Sequence, residues 1–198
     1  MGDIIMRRKL LVLAGPSGCG KNYITDKLIT NCPNIFEQLP QYTTRKKRTP
    51  NENTYYFITD EHYDIIKETL IAKTKIGSTR YGTVPCMKKD RIGIIIANKM
   101  GIDDLNKYLK ENDTGFDVCY LGIDSEIPAK REGRSEAYVK EERTLLSNVV
   151  NHWLISKKDK YITVEDVMNE LVRLWFISPT WSMDYEQNWQ DNHKIIAS

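Results

Sequence analysis

The sequence predicts an α/β fold, a parallel sheet with helices on both faces, and three observations lead there. Short, nearly continuous apolar runs at Leu10–Ala14 and Ile92–Ala97, and a third over Asp117–Ile123, have the length and Leu/Ile/Val content of strands covered on both sides. Helical patterns alternate with these runs, and strand–helix alternation builds a parallel sheet. A glycine-rich turn joins the first strand directly to the first helix.

The elements follow in order. Lys9–Ala14 reads as a buried strand, and Asn22–Ile29 as a helix with Ile24 and Leu28 on one face. Pro33 and Pro40 bracket a short connection holding Ile35 and Phe36. The chain is polar and basic from Gln41 to Asn53, then Tyr55–Ile58 reads as a strand. Thr59-Asp60-Glu61-His62 opens a helix whose acidic first turn suits the helix dipole. The strand Ile92–Ala97 precedes a helix over about Ile102–Leu109, and Asp117–Ile123 is a further strand. Ala129–Leu146 is highly charged and then amphipathic. Thr163-Val164-Glu165-Asp166 resembles a capping box that starts a helix running to about Phe176. No internal repeat or low-complexity segment interrupts this order.

Bulk properties exclude several classes. A chain of 198 residues suits one α/β domain. Its net charge of +2 gives no reason to expect nucleic-acid or membrane binding, so electrostatic recognition must come from local clusters. No apolar run approaches the ~20 residues that span a bilayer, and Met1–Met6 carries no signal-peptide core. Cys19, Cys32, Cys86 and Cys119 lack C-x-x-C spacing, which points to reduced thiols in a cytoplasmic protein.

The chemistry is concentrated at Gly15-Pro16-Ser17-Gly18-Cys19-Gly20-Lys21, which fits G-x-x-x-x-G-K between a buried strand and a helix start. That is the setting of a P-loop NTPase fold. Its glycines let the backbone curl until successive N–H groups face phosphate oxygens, the helix N-terminus adds its positive end, and Lys21 reaches the β/γ-phosphates of ATP. Asn22 stands where the motif normally supplies a Ser or Thr hydroxyl to Mg²⁺. Its amide oxygen is a hard ligand, bulkier and differently directed.

Several segments in the same order resemble the guanylate kinase family: the P-loop itself, Thr43-Thr44-Arg45-Lys46-Lys47-Arg48, Tyr55-Tyr56-Phe57, Arg80-Tyr81-Gly82-Thr83, and Glu132-Gly133-Arg134 with Arg143. The resemblance spans about Leu10 to Phe176. It implies a domain over 1–177 with an acceptor-phosphate-binding insertion at about 41–85 and a basic lid at about 129–146. It implies ATP and Mg²⁺ as cofactors and a small phosphorylated acceptor. By the same resemblance Arg45, Arg48, Tyr55 and Tyr81 grip the acceptor phosphate, Arg131 lies near the donor nucleotide, and Arg134 and Arg143 face the transferred group. An arginine fork and phenolic hydroxyls suit a phosphate, and cationic clamps suit phosphoryl transfer. The plainer alternatives are a solvated basic loop for Arg45–Arg48 and, for each lid arginine, an exposed helix with pairs to Glu136, Glu141 and Glu142.

The chain departs from that family where guanine is read. The base-reading Glu falls on Ala72, the Asp on Asn98, and a Ser on Gln41. An alanine methyl cannot accept from guanine's N1–H and exocyclic amine. Three readings stay open: a nucleoside or deoxynucleoside monophosphate kinase with a non-guanine or modified-base preference, read through Asn98 and Gln41; a ribose 1,5-bisphosphate-type sugar-phosphate kinase; and a non-catalytic guanylate-kinase-like interaction module. Ser178-Pro179 suggests a last helix start in a C-terminal extension over 178–198. Its Trp181, Tyr185 and Trp189 would form a stripe that packs on the domain or makes a homo-oligomer contact.

Overall fold

The computed structural model describes residues 7–88, 90–112, 115–126, 135–158, 160–174 and 176–178. Five parallel strands form the main sheet in the order β2-β7-β1-β8-β9. They are β1 (Arg8–Ala14), β2 (Phe36–Gln38), β7 (Ile92–Ala97), β8 (Phe116–Ser125) and β9 (His152–Ser156). β1 lies at the centre and is buried along its length from Leu10.

Its side chains alternate between two cores, as the period of a strand requires. Leu11 and Leu13 pack with Ile24 and Leu28 of α1 (Lys21–Asn31) and Val167, Met168 and Leu171 of α5 (Val164–Arg173). Leu10, Val12 and Ala14 face the other way, toward Ile102 and Leu105 of α3 (Lys99–Glu111) and Leu146 of α4 (Glu136–Ser147). Helices therefore cover both faces, as expected. The box at the start of α5 is present, with Thr163 and Asp166 bonded reciprocally, but the helix ends at Arg173 rather than Phe176.

The segment bracketed by Pro33 and Pro40 is more than a connection: Phe36 is fully buried and its three-residue strand extends the sheet beside β7. The basic stretch and its surroundings fold into a second sheet, ordered β4-β3-β6-β5. Its strands are β3 (Gln41–Thr43), β4 (Tyr56–Phe57), β5 (Ile71–Ile76) and β6 (Thr79–Thr83), with α2 (Asp60–Ile66) between β4 and β5. Arg80 ties β6 to α2 through Asp60 and Asp64, at 2.6 and 2.7 Å. Between Ile71 and Thr74 the β5–β6 register slips, and Ala72 takes a φ of 53°. That left-handed backbone is uncommon for a residue with a Cβ.

The carboxyl ends of β1, β7 and β8 meet at one edge, where open parallel sheets hold ligands. The β1–β8 register pairs Ala14 with Gly122, so β8 continues alongside the loop that leaves β1. A Cβ on Gly15 would stand 1.9 Å from the Ile123 carbonyl oxygen and 2.9 Å from Cys19 Sγ. Gly15→Ala is therefore expected to cost about 1–3 kcal/mol as an overpacking substitution, measured by urea unfolding.

Candidate active site

The loop after β1 is shaped by glycine. Gly18 and Gly20 have φ of 85° and 99°, and Gly20 is the residue that caps α1. Such angles turn the chain so that backbone N–H groups converge at the helix start. Lys21 folds back over the loop, its Nζ donating to the Gly15 and Pro16 carbonyls at 2.7 and 2.8 Å. Asn22 lies beside it and lines the same space. The Cys19 thiol is buried against the loop, and desolvation pushes its pKa up.

One cavity of about 320 Å³ runs from this loop to the second sheet. Its walls include Gly15, Ser17, Gly18, Gly20, Lys21 and Asn22 on one side, and Arg45, Arg48, Tyr55 and Tyr81 on the other. Gln41, Ala72 and Asn98 line it as well. Residues far apart in the chain thus share one space. Arg45 crosses the faces of Tyr55 and Phe57 at 5.7 and 5.3 Å, and Tyr55 meets Tyr81 edge-on at 5.8 Å. The Arg45 side chain is only 14% exposed, so the solvated-loop alternative does not describe it. Lys46, Lys47 and Arg48 are exposed, as that alternative expects, although Arg48 also lines the cavity.

Sequence reasoning missed Glu52 and Asp124 and named Glu142 only as a helix partner; Glu52 and Glu142 line the cavity, whereas Asp124 and Arg143 do not. Glu52 accepts from Arg45 Nη1 and Nη2 at 3.1 and 2.6 Å and from the Arg48 backbone N–H at 2.7 Å. Glu142 of α4 accepts from the Ser17 backbone N–H at 3.0 Å. Asp124, at the end of β8, receives Arg143 Nε and Nη2 at 2.5 and 2.8 Å. Each carboxylate therefore occupies a donor suited to a phosphate oxygen. Arg143 thus pairs with a strand residue instead of a helical glutamate.

The base-reading positions are neutral. Asn98 caps α3, its Oδ1 accepting from Gly101 N–H at 3.0 Å, and among the described residues its amide N–H pair has no partner. Gln41 is buried, with Nε2 donating to the Ile96 carbonyl at 3.0 Å and Thr83 Oγ1 at 3.3 Å. Its Oε1 accepts from Gln38 Nε2 at 3.4 Å. Thr74, also on the cavity wall, has a buried hydroxyl with no hydrogen-bond partner.

Lys130, Arg131 and Arg134 lie outside the described residues, as do Trp181, Tyr185 and Trp189. The four cysteines are free thiols. Among the described residues no helix is long and apolar enough to cross a membrane.

A strand, a glycine loop and a helix at the carboxyl edge of a parallel sheet define a P-loop kinase α/β fold. The family model described as guanylate kinase matches residues 7–111, more than half of the chain. The chain belongs to the guanylate kinase family. The guanylate kinase of Helicobacter hepaticus is 25% identical over 107 residues, covering 50% of this chain and 54% of that protein. The one from Sus scrofa is 31% identical over 106 residues, covering 49% and 54%. The chain thus spans about half the length of these relatives. A crystal structure of guanylate kinase from Anaplasma phagocytophilum superposes with a TM-score of 0.56 at 15% identity, covering 86% of this chain and 85% of that one, a likeness of fold.

The Glu52 pair gives a pH signature. Hydrogen bonding from Arg45 lowers the Glu52 pKa below its ordinary 4.5, and the same bond raises that of Arg45. A carboxylate with a lowered folded-state pKa contributes its full stabilisation above the unfolded value and loses it as pH falls through the folded one. Glu52→Gln is expected to cost about 1–2 kcal/mol at neutral pH, with the gap to the unaltered protein closing below pH 4.5. Denaturant melts across pH 3–8 check it.

Proposed function

We propose that this protein transfers the γ-phosphoryl group of ATP to the phosphate of a nucleoside or deoxynucleoside monophosphate whose base is not guanine. One observation carries the reading: a single cavity joins the glycine loop to the Arg45–Tyr55–Tyr81 cluster, while Gln41, Ala72 and Asn98 bring no carboxylate to it. ATP's β- and γ-phosphates take the loop N–H groups, and Lys21 turns from the Gly15 and Pro16 carbonyls to their oxygens. The acceptor's phosphate takes Arg45 and Arg48, with the Tyr55 and Tyr81 hydroxyls at its flank. An oxygen of that phosphate attacks the γ-phosphorus, the bond to the β–γ bridging oxygen breaks, and ADP leaves. The nucleophile is already anionic, so positioning and charge stabilisation suffice without a dedicated base.

Asn22 fits Mg²⁺ as a single amide-oxygen ligand, the rest coming from ATP and water, since Mg²⁺ commonly keeps few protein ligands. Bound there, the ion would neutralise charge building on the phosphate oxygens.

Among the three base-reading side chains, guanine's N1–H and exocyclic amine find only amide oxygens that already accept, Asn98 Oδ1 from Gly101 N–H and Gln41 Oε1 from Gln38 Nε2. A buried donor left unpaired costs about 1–3 kcal/mol, so kcat/KM for GMP is expected to fall at least ~5-fold below that of the best acceptor. The test is ADP formation from ATP and Mg²⁺ with a panel of ribo- and deoxyribonucleoside monophosphates, base-modified ones included, and ribose 1,5-bisphosphate. Turnover on a non-guanine monophosphate supports the reading. Turnover best on GMP, only on the bisphosphate, or on nothing overturns it. With the acceptor so found, Arg45→Ala should raise its KM by about 10- to 100-fold and that of ATP by less than about threefold.

A further inference from the structure

Asp124 stands out because nothing in the phosphate-handling scheme above uses it, yet it is an enclosed carboxylate beside the glycine loop. It follows the apolar run of β8 and is 7% exposed. The β1–β8 register puts it two residues beyond the partner of Ala14, level with the loop. Its Oδ1 accepts from its neighbour's backbone, Ser125 N–H, at 2.7 Å, which holds the carboxylate plane. Both oxygens then take Arg143, through Nε at 2.5 Å and Nη2 at 2.8 Å.

The donor arithmetic of the guanidinium decides what this does. Arg143 has five N–H groups in a rigid fork. Nε–H and one Nη2 hydrogen go to Asp124, and the other Nη2 hydrogen faces the Ser125 carbonyl at 3.4 Å. Among the described residues, both Nη1 hydrogens have no partner. The Arg143 side chain is 43% exposed while that of Asp124 is 9% exposed, so the buried end of the pair is the carboxylate and the open end is the cation. Arg143 needs such an anchor, since Leu146 is the single buried residue of α4 and four methylene-scale torsions would otherwise leave the fork unaimed.

We propose that Asp124 is a positioning residue: it locks the Arg143 fork so that Nη1 points its two donors at the phosphoryl group in transfer. The inference rests on the phosphotransfer reading above and adds a residue to it. Preorganised donors act because they need no reorganisation as charge develops, and a side-on carboxylate clamp leaves an arginine one free end for an anion. Asp124 does not touch substrate; it acts through Arg143.

The test uses ADP, Mg²⁺ and aluminium fluoride as a mimic of the transferring group, and so needs no knowledge of the acceptor. In the unaltered protein, fluoride should tighten ADP binding by at least about tenfold. Asp124→Asn should keep ADP affinity within about threefold and lose most of the fluoride gain, as Arg143→Ala does. The double variant should be no worse than Arg143→Ala alone, the mark of two residues acting as one. Asp124→Glu, which keeps the charge, should restore part of the gain and guards against a folding defect in the amide variant. Equal loss of ADP and mimic binding in both Asp124 variants would assign it a purely structural role. An unchanged or larger fluoride gain in Asp124→Asn would show that the carboxylate merely neutralises Arg143, and sinks the proposal. If the unaltered protein binds ADP with no fluoride gain, the phosphotransfer reading fails and the proposal with it.

Discussion

The structure depends on one electrostatic constraint: donors gathered to hold phosphates must have anions near them before any phosphate arrives. A half-buried guanidinium or a ring of converging N–H groups is costly to leave unmatched. This chain meets the requirement from within. Glu142 lies on the Ser17 N–H, Glu52 on Arg45, and Asp124 on Arg143. Lys21 inverts the pattern, a cation satisfied by the loop's own carbonyls. The fold then reads as the scaffold that brings these partners together, with β1 at the centre and the strand ends at one edge.

The three carboxylates need not behave alike when a ligand enters. Glu142 reaches from α4 to the loop's Ser17 N–H, a donor for which an incoming phosphate oxygen would compete. Glu52 holds two N–H groups of the guanidinium and the Arg48 backbone, so it shapes the basic turn as well as neutralising it. Asp124 holds Arg143 by its side and leaves an end open. Displacement, shaping and aiming are three uses of the same pairing, and each follows from which donor atoms the carboxylate takes.

Much of the nucleotide-loop half of the site was legible in the sequence because its signals are local. Seven consecutive residues carry the loop, and the runs on either side announce a strand and a helix. Of the sheet over Gln41–Thr83 only β4 was legible, inside the Tyr55–Ile58 run: β3, β5 and β6 are three to six residues long and carry Thr, Lys or Arg, so neither a run nor an alternation marks them. β2 was hidden by its length, and β9 by an exposed Ile155 in a half-buried strand. Pairings were hidden by separation. Ser17 and Glu142 are 125 positions apart, and no periodicity relates them. Asp124 left one readable trace, an acidic residue directly after a buried parallel strand, where ligands of open sheets are found. Asn98 shows a different limit, since its identity was visible but its capping of α3, which commits its oxygen, was not.

The central claim is that two phosphate sites share one cavity, the glycine loop at one end and the Arg45–Tyr81 cluster at the other. It is tested most directly by calorimetric binding of dinucleoside pentaphosphates that carry adenosine at one end and each common nucleoside at the other. Linking two ligands makes the second contact intramolecular, so at least one compound should bind about 100-fold or more tighter than ADP. If none binds more tightly than ADP, the two clusters do not act on one phosphate chain and the account is wrong.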